Sequence, residues 1–147
     1  MRSLLSKSQK INTTITMNKN YFEIKRAGIN TTFQDQGRNN LYHIGIPFSG
    51  AMDNRNFQIS NKLVGNETNS PVIEFAYQGP LLKFHGKEAK FAITGNVNFN
   101  IIRSQGIEIG ECYKSYYLKD GDQIDIISVL NSVYGYLAVE GLSLIHI

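Results

Sequence analysis

VIEFAYQGPLLKFHGKEAKFAITGNVNFNIIR, residues 72–103, consists of short apolar or alternating runs that glycine, proline and asparagine interrupt. The interruptions at Gly79-Pro80 and Gly95-Asn96 are turn signals, because glycine tolerates positive φ and proline cannot continue an internal strand. Short apolar runs bounded by such residues are typical of strands. This stretch therefore predicts an all-β domain.

The same pattern extends outward in both directions along the chain. It predicts strands at 21–25, 31–34, 72–77, 81–84, 90–94, 98–102, 107–109, 115–118, 123–128 and 133–139. Asp120-Gly121, between the strands at 115–118 and 123–128, predicts a hairpin with a type I′ turn, in which both central residues have positive φ. This many short strands favour a barrel or a sandwich.

One stretch departs from the strand pattern, residues 53–65, DNRNFQISNKLVG. On a helix its apolar residues fall within an arc of roughly 160°, whereas Arg55 and Lys62 point away. Asp53 is a good N-cap, because its carboxylate can accept N–H groups of the first turn, and Gly65 suits the position after the C-cap. The sequence predicts one short amphipathic helix at about 54–64.

Charge and composition argue against nucleic-acid binding. The 147-residue chain has a formal net charge of +3, but four of its 15 basic residues precede Tyr21 and the remaining 11 face 12 acidic residues. The foldable part is therefore close to neutral, with no tryptophan and no cluster of arginines. A basic stripe that could neutralise phosphates is not expected.

The single cysteine, Cys112, excludes an intrachain disulfide and a cysteine-cluster metal site, and it favours a reducing compartment. His43 has no second histidine or cysteine at ligand spacing, so no metal is expected. No apolar run approaches the ~20 residues that span a bilayer. We expect a cytoplasmic protein that does not contact a membrane.

The first 20 residues differ in composition from the rest of the chain. They are rich in Ser, Thr, Asn and Lys and contain no acid. Leu4-Leu5 is too short for the apolar region of a signal peptide. Residues 1–20 are predicted to be a disordered leader, with Met17 as a plausible true start and a transit peptide as the second interpretation. Residues 21–141 are predicted to form one domain.

The densest polar segment, TTFQDQGRNNLYHIGIPFSGAMD at 31–53, ends where the helix should begin. Its polar side chains need partners once packed near a core, so a site is the economical interpretation. Asp35 and Arg38 are spaced for a turn-stabilising ion pair, whereas a free Arg38 suits a carboxylate or carboxyl-phosphate ligand. Ser49-Gly50 leads to a helix N-terminus, which favours an anion. This anion is either a bound ligand or simply the carboxylate of Asp53 acting as the helix cap.

Glu74 projects from a partly apolar face of its predicted strand, where a carboxylate needs a donor to stay charged. Two roles fit it: a general acid/base, and a structural partner for Arg38 or for a backbone turn. The turn at Thr94-Gly95 can present N–H groups to a ligand or serve only as a turn. The sequence contains no P-loop, no serine-hydrolase elbow and no zinc-protease motif.

Six blocks of sequence occur in the order seen in one family. They are TTFQDQGR at 31–38, GIPFSGAMD at 45–53, NKLVGN at 61–66, VIEFAYQGPLLKF at 72–84, AITG at 92–95 and YLAVEG at 136–141. With them the chain resembles the biotin-dependent carboxyltransferase family, also called allophanate hydrolase subunit 2, over residues 21–141. That family includes the C subunit of 5-oxoprolinase and KipA, an antagonist of a kinase inhibitor.

The resemblance implies a mainly β, cyclophilin-like barrel that works in a complex. A sister protein, the B subunit, would complete a composite site, and the A subunit would take part in the ATP-dependent opening of 5-oxoproline to glutamate, so ATP would act through the complex. One alternative is a carboxyltransferase component of a biotin-dependent urea carboxylase or allophanate pathway enzyme, with biotin as cofactor. Another is a non-catalytic antagonist of a kinase inhibitor. The substrate of the enzymes would be a small carboxylate or amide.

Carried over block by block, the resemblance also implies site residues. Asp35, Arg38 and Glu74 would be catalytic, with Arg38 as an anion clamp and Glu74 or Asp35 as acid/base. The substrate-binding residues would be Gln34, Ser49, Gly50, Asp53, Thr94 and Gly95. No metal ligand is implied.

The end of the chain departs from the family pattern. After Gly141, family members continue with a second glycine and a further lobe, whereas this chain has Leu142 and ends in SLIHI. Residues 21–141 would then be the N-terminal portion of the family domain. Residues 142–147 would be a tail at a truncation point, either native or appended, and the fragment alone is predicted to be inactive.

Overall fold

The computed structural model describes residues 20–34, 51–130 and 134–141. Its one helix there is α1 (Asn54–Leu63). Its strands are β1 (Tyr21–Arg26), β2 (Ile29–Gln34), β3 (Val72–Ala76), β4 (Leu81–His85), β5 (Glu88–Thr94), β6 (Val97–Arg103), β7 (Gly106–Ile109), β8 (Ser115–Lys119), β9 (Gln123–Val129) and β10 (Tyr134–Val139). Every predicted strand has a counterpart, so the mainly β fold is confirmed. The predicted leader up to residue 19 and the tail 142–147 lie outside the described residues.

The ten strands form two antiparallel five-stranded sheets. Sheet 1 has the order β1-β4-β9-β6-β7, and sheet 2 has the order β2-β3-β10-β5-β8. Neighbours in sequence therefore often belong to different sheets, as β1 and β2 do. Among the described strands no ladder joins the two sheets, so the implied barrel takes the form of two packed layers.

The main core lies between the two sheets. It follows the two-residue period of the strands: in β9, for example, Ile124 and Ile126 are buried while their neighbours are partly exposed. The fully buried side chains of this core are Phe75, Leu82, Phe84, Phe91, Ile93, Phe99, Ile101, Leu118, Ile124, Ile126 and Leu137. Burial of this apolar surface is the main source of stability for the layers.

Helix α1 covers the other face of sheet 2 and forms a second core. Its members are Phe57, Val64, Val72, Ala92, Tyr136 and Ala138. Because sheet 2 is covered on both sides here, all five residues of β3 are buried. A polar side chain on the helix side of sheet 2 therefore loses water and needs a partner within the protein.

Both ends of α1 are capped by the residues that the sequence predicts. Asp53 is the N-cap, and its carboxylate accepts the N–H of Asn56 at 3.1 Å. The helix ends at Leu63, one residue earlier than expected.

Beyond that end the chain forms a Schellman motif around Gly65, which has a φ of +81°. The N–H of Gly65 donates to the carbonyl of Lys62 at 3.1 Å, and the N–H of Asn66 donates to the carbonyl of Asn61 at 2.9 Å. These two bonds satisfy carbonyl groups that the helix leaves unpaired.

The hairpin predicted at Asp120-Gly121 is wrong. A turn forms there, with the N–H of Asp122 donating to the carbonyl of Lys119 at 3.0 Å, but Gly121 alone of the two central residues has positive φ. β8 pairs with β5, whereas β9 pairs with β4 and β6, so the turn carries the chain from sheet 2 to sheet 1. Its backbone instead bonds to β4: the N–H of Gly121 donates to the carbonyl of Phe84 at 2.7 Å.

Replacing Gly65 by alanine is expected to lower the free energy of unfolding by about 1 kcal/mol. No atom lies within 4 Å of the new Cβ, so the cost comes from the left-handed backbone alone. The matched variant Gly65→Asn should lose less, because asparagine tolerates this region better than alanine. Urea unfolding compares the three proteins, and an alanine variant as stable as the parent would contradict this C-cap.

Candidate functional site

A row of polar side chains crosses the helix side of sheet 2. The register places Glu74 of β3 opposite Thr32 of β2 and opposite Tyr136 of β10, and it places Tyr136 opposite Thr94 of β5. Residues directly opposite each other in an antiparallel ladder share a face. Thr32, Glu74, Tyr136 and Thr94 therefore form one line across four adjacent strands, here called the polar row.

Glu74 and Tyr136 hold the backbone that enters the helix. The hydroxyl of Tyr136 donates to Oε2 of Glu74 at 2.6 Å and accepts the N–H of Asp53 at 2.7 Å. The same Oε2 accepts the N–H of Met52 at 2.9 Å. Glu74 is 4% exposed and Tyr136 is fully buried. Two consecutive backbone amides are thereby fixed to β3 and β10.

Tyr136 acts as a hydrogen-bond donor with no tendency to ionise. Burial raises the pKa of its phenol far above the ordinary value, and the hydrogen bond to Glu74 raises it further. The phenol therefore keeps its proton throughout the physiological range of pH. Its contribution to the site is to position Glu74 and Asp53 rather than to transfer a proton.

The other end of the polar row closes onto the helix. The hydroxyl of Thr94 donates to the carbonyl of Asn56 at 2.8 Å. The N–H of Gly95 donates to the hydroxyl of Tyr113 at 3.2 Å, and this hydroxyl donates to Oδ1 of Asn56 at 2.6 Å. The turn between β5 and β6 is thus joined to the first turn of α1 through both the backbone and the side chain of Asn56.

A groove of about 560 Å³ lies beside this junction. It is lined by Asn56, Gly95, Asn96, Val97, Cys112 and Tyr113. The thiol of Cys112 donates to the carbonyl of Val97 at 3.3 Å, and burial raises its pKa. A thiol in this state is a poor nucleophile, because the thiolate is the reactive form.

Neither a metal site nor a membrane-spanning helix is found among the described residues. No group of three or more His, Cys, Asp or Glu side chains in this part of the chain could hold a metal ion. No helix described there is long and apolar enough to cross a membrane.

Comparison with known protein families matches the region that contains this site. The family model described as the carboxyltransferase domain, subdomain A and B, matches residues 44–144. The chain belongs to this carboxyltransferase-domain family. The resemblance inferred from the sequence blocks is thereby confirmed.

Relatives of this carboxyltransferase domain are parts of enzymes. The urea amidolyase of Lachancea kluyveri is 33% identical over 150 residues, which are 96% of this chain and 8% of that protein. The 5-oxoprolinase C subunit of Haemophilus influenzae is 32% identical over 110 residues, 75% of this chain and 34% of that protein. The crystal structure of Kluyveromyces lactis urea carboxylase superimposes with a TM-score of 0.74 at 33% identity, covering 82% of this chain and 10% of that one. The chain thus spans between 8% and 34% of the length of these curated relatives.

The site residues implied for the carboxyltransferase domain divide into two groups. Asp35, Arg38, Ser49 and Gly50 lie outside the described residues. Gln34, Asp53, Glu74, Thr94 and Gly95 are described, and all of them lie in or next to the polar row. Gln34 is buried at the end of β2, where its side-chain amide donates to the hydroxyl of Thr32 at 3.0 Å.

Within that second group, each polar side chain has at least one hydrogen-bond partner, but the side-chain oxygen of Gln34 is buried without one among the described residues. Of the two roles that fit Glu74, the backbone-holding role is observed, because Glu74 binds Met52. The acid/base role stays a prediction. Asp53 caps the helix, and Thr94 and Gly95 bond to Asn56 and Tyr113.

Three residues of this site were missed at the level of sequence: Tyr136, Asn56 and Tyr113. Tyr136 opens the YLAVEG block, but nothing local assigns its hydroxyl to Glu74, which lies 62 positions away. Asn56 and Tyr113 are 57 positions apart and belong to no shared pattern. No sequence signal could have joined these pairs.

The free energy of unfolding is expected to fall steeply with pH above about 10, the ordinary pKa of tyrosine. Tyr136 has a raised pKa in the folded state, so its contribution is complete below the ordinary value and is lost as the pH rises above it. With each pH unit, the free energy of unfolding of the parent protein should fall by up to about 1.4 kcal/mol more than that of Tyr136→Phe. Urea unfolding between about pH 8 and 11 tests this, with Tyr117→Phe, a half-exposed site, as the matched control. Parallel profiles for the parent and Tyr136→Phe would contradict the assignment.

Proposed function

We propose that the chain is part of an enzyme component of the 5-oxoprolinase C-subunit type. The 5-oxoprolinase reaction opens 5-oxoproline to glutamate and consumes ATP. The structural support is that the polar row meets the N-terminus of a helix. The chain is also related to the 5-oxoprolinase C subunits of Haemophilus influenzae, at 32% identity, and of Escherichia coli, at 40% identity over 73 residues.

The geometry suits a small substrate with a carbonyl or carboxylate group. The N-terminal end of α1 carries the positive end of the helix dipole, which favours a negative or partly negative oxygen, and the capping carboxylate of Asp53 already takes up part of this field. The amides of Met52 and Asp53 are already bonded to Glu74 and Tyr136. The proposed substrate contacts are those of Ser49 and Gly50, which precede them in the sequence, with Arg38 as the clamp for an anionic group.

ATP and the rest of the site would come from a complex. Since the chain has no P-loop, ATP would act through the partner A and B subunits rather than through a dedicated motif of this chain. The B subunit would complete the site around Asp35, Arg38 and Glu74. The chain without its partner subunits is expected to be inactive.

A second candidate is carboxyl transfer in a biotin-dependent urea carboxylase. It is favoured by the alignment with the Lachancea kluyveri urea amidolyase over 96% of this chain and by the likeness to the urea carboxylase structure. Biotin would then be the cofactor, carried by another part of the enzyme. Both candidates use the same chemical feature, a set of donors that stabilises negative charge developing on a carbonyl oxygen.

The substitution Glu74→Gln separates the two roles of Glu74. Glutamine keeps an oxygen that can accept from Tyr136 and Met52, but it cannot exchange a proton with substrate. In the full-length protein, assembled with its partners, we expect 5-oxoproline-dependent ATP hydrolysis to fall on the order of 10²-fold or more, with little change in stability. Glu67→Gln, at an exposed position of the loop between α1 and β3, is the matched control. Full activity of Glu74→Gln would leave Glu74 a structural role only.

The proposed function itself is tested with the parent complex. The full-length gene product is co-expressed with the products of its neighbouring genes, and ATP hydrolysis is measured with and without 5-oxoproline. Turnover that depends on 5-oxoproline supports the first candidate. Turnover that depends on urea, bicarbonate and biotin supports the second, and an assembled complex with neither activity contradicts both.

A further inference from the structure

We propose that Tyr136 is a positioning residue for the reaction, acting through the entry arm, residues 51–53, which leads into α1. This inference rests on the proposed function in so far as it concerns turnover. Its structural part, that one hydroxyl fixes the arm to the sheet, can be tested without any assay of activity.

The hydroxyl of Tyr136 is the point where three separate parts of the chain meet. It belongs to β10, donates to Glu74 on β3 and accepts from Asp53 in the entry arm. Glu74 in turn accepts from Met52 through the oxygen that Tyr136 also contacts. The arm is thus held by two adjacent backbone amides, one bonded directly to Tyr136 and the other through its partner.

Packing does not account for this hydroxyl. The ring of Tyr136 lies in an apolar cluster with Phe57, Val72 and Ala138, where phenylalanine would fill nearly the same volume. A buried hydroxyl in such a cluster costs free energy unless it is bonded, and here both its donor and its acceptor capacity are used. What the oxygen adds to the ring is the connection between the sheet and the entry arm.

Two groups that the hydroxyl holds are themselves site residues under the proposed function: Glu74 as acid/base and Asp53 as a substrate contact. A side chain that binds substrate must be held to within a fraction of an ångström of its productive position, and small displacements cost large factors in rate. An arm that is tied at two adjacent amides limits such displacement. Loss of the hydroxyl should therefore impair substrate binding through the arm and the chemical step through Glu74.

The test compares the parent with Tyr136→Phe and with the control Tyr117→Phe, in the full-length protein. Amide hydrogen exchange is measured at Met52 and Asp53 under native conditions. Amides of the β6–β9 ladder report the change in global stability of each variant. Relative to that change, we expect the two amides in Tyr136→Phe to exchange at least about tenfold faster than in the parent. Unchanged relative protection overturns the proposal.

Kinetics of the assembled complex give the second readout. For Tyr136→Phe we expect KM for 5-oxoproline to rise about tenfold and kcat to fall as well, because Glu74 loses a donor, at a temperature where the variant is folded. A variant with loosened amides but parental KM and kcat also overturns the proposal, because the hydroxyl would then be structural only. A parent complex without turnover contradicts the proposed function instead, and the exchange result still decides whether Tyr136 holds the arm.

The parent protein supplies a measurement that does not depend on the folding of a variant. If the hydroxyl and Glu74 hold the arm, Met52 and Asp53 exchange as slowly as amides of β10. Exchange at the rate of an unprotected loop would overturn the proposal without any substitution.

Discussion

The hydrogen bonds from Tyr136 and Met52 give one oxygen of the Glu74 carboxylate, Oε2, two donors at a position almost completely shielded from water. Without them, closing α1 over sheet 2 would bury a carboxyl group that lacks donors, at a cost of several kcal/mol, a large share of the stability of a whole domain. The donors come from β10 and from the backbone that begins the helix. The same hydrogen bonds therefore support the packing of the helix, the order of the entry arm and the proposed site.

The opposite end of α1 is fixed by polar groups of another kind. The side-chain amide of Asn61 donates to the carbonyls of Thr68 and Ser70, at 3.3 and 2.8 Å. Asn66 donates to the carbonyl of Val139 at 3.0 Å and accepts the N–H of Gly141 at 3.1 Å. These bonds bind loops to the helix and to the end of β10, and they explain the NKLVGN block as a structural element. The N-terminal end of this short helix thus adjoins the proposed site, whereas its C-terminal end binds neighbouring loops.

Local rules predicted the parts of the fold that local forces decide. The strands follow from short apolar runs, and the caps of α1 follow from Asp53 and Gly65, whose roles depend only on their own backbone and first-turn neighbours. The hairpin at Asp120-Gly121 was predicted wrongly, because a Gly turn signal reports a change of direction but not which sheet the next strand joins. The partners of Glu74 were beyond reach for the same reason, since tertiary pairing decides them.

The position of β10 in sheet 2 has a consequence for synthesis. β10 is the last of the described strands, yet it lies in the middle of its sheet, between β3 and β5. A nascent chain that has emerged from the ribosome only as far as β9 leaves sheet 2 in two parts with open, apolar edges, and contacts of such long sequence separation form slowly. Glu74 also lacks one of its two donors until Tyr136 of β10 has been synthesised. Until β10 inserts, the edges of β3 and β5 are open to pairing with other chains, which is the condition that favours aggregation of a growing chain.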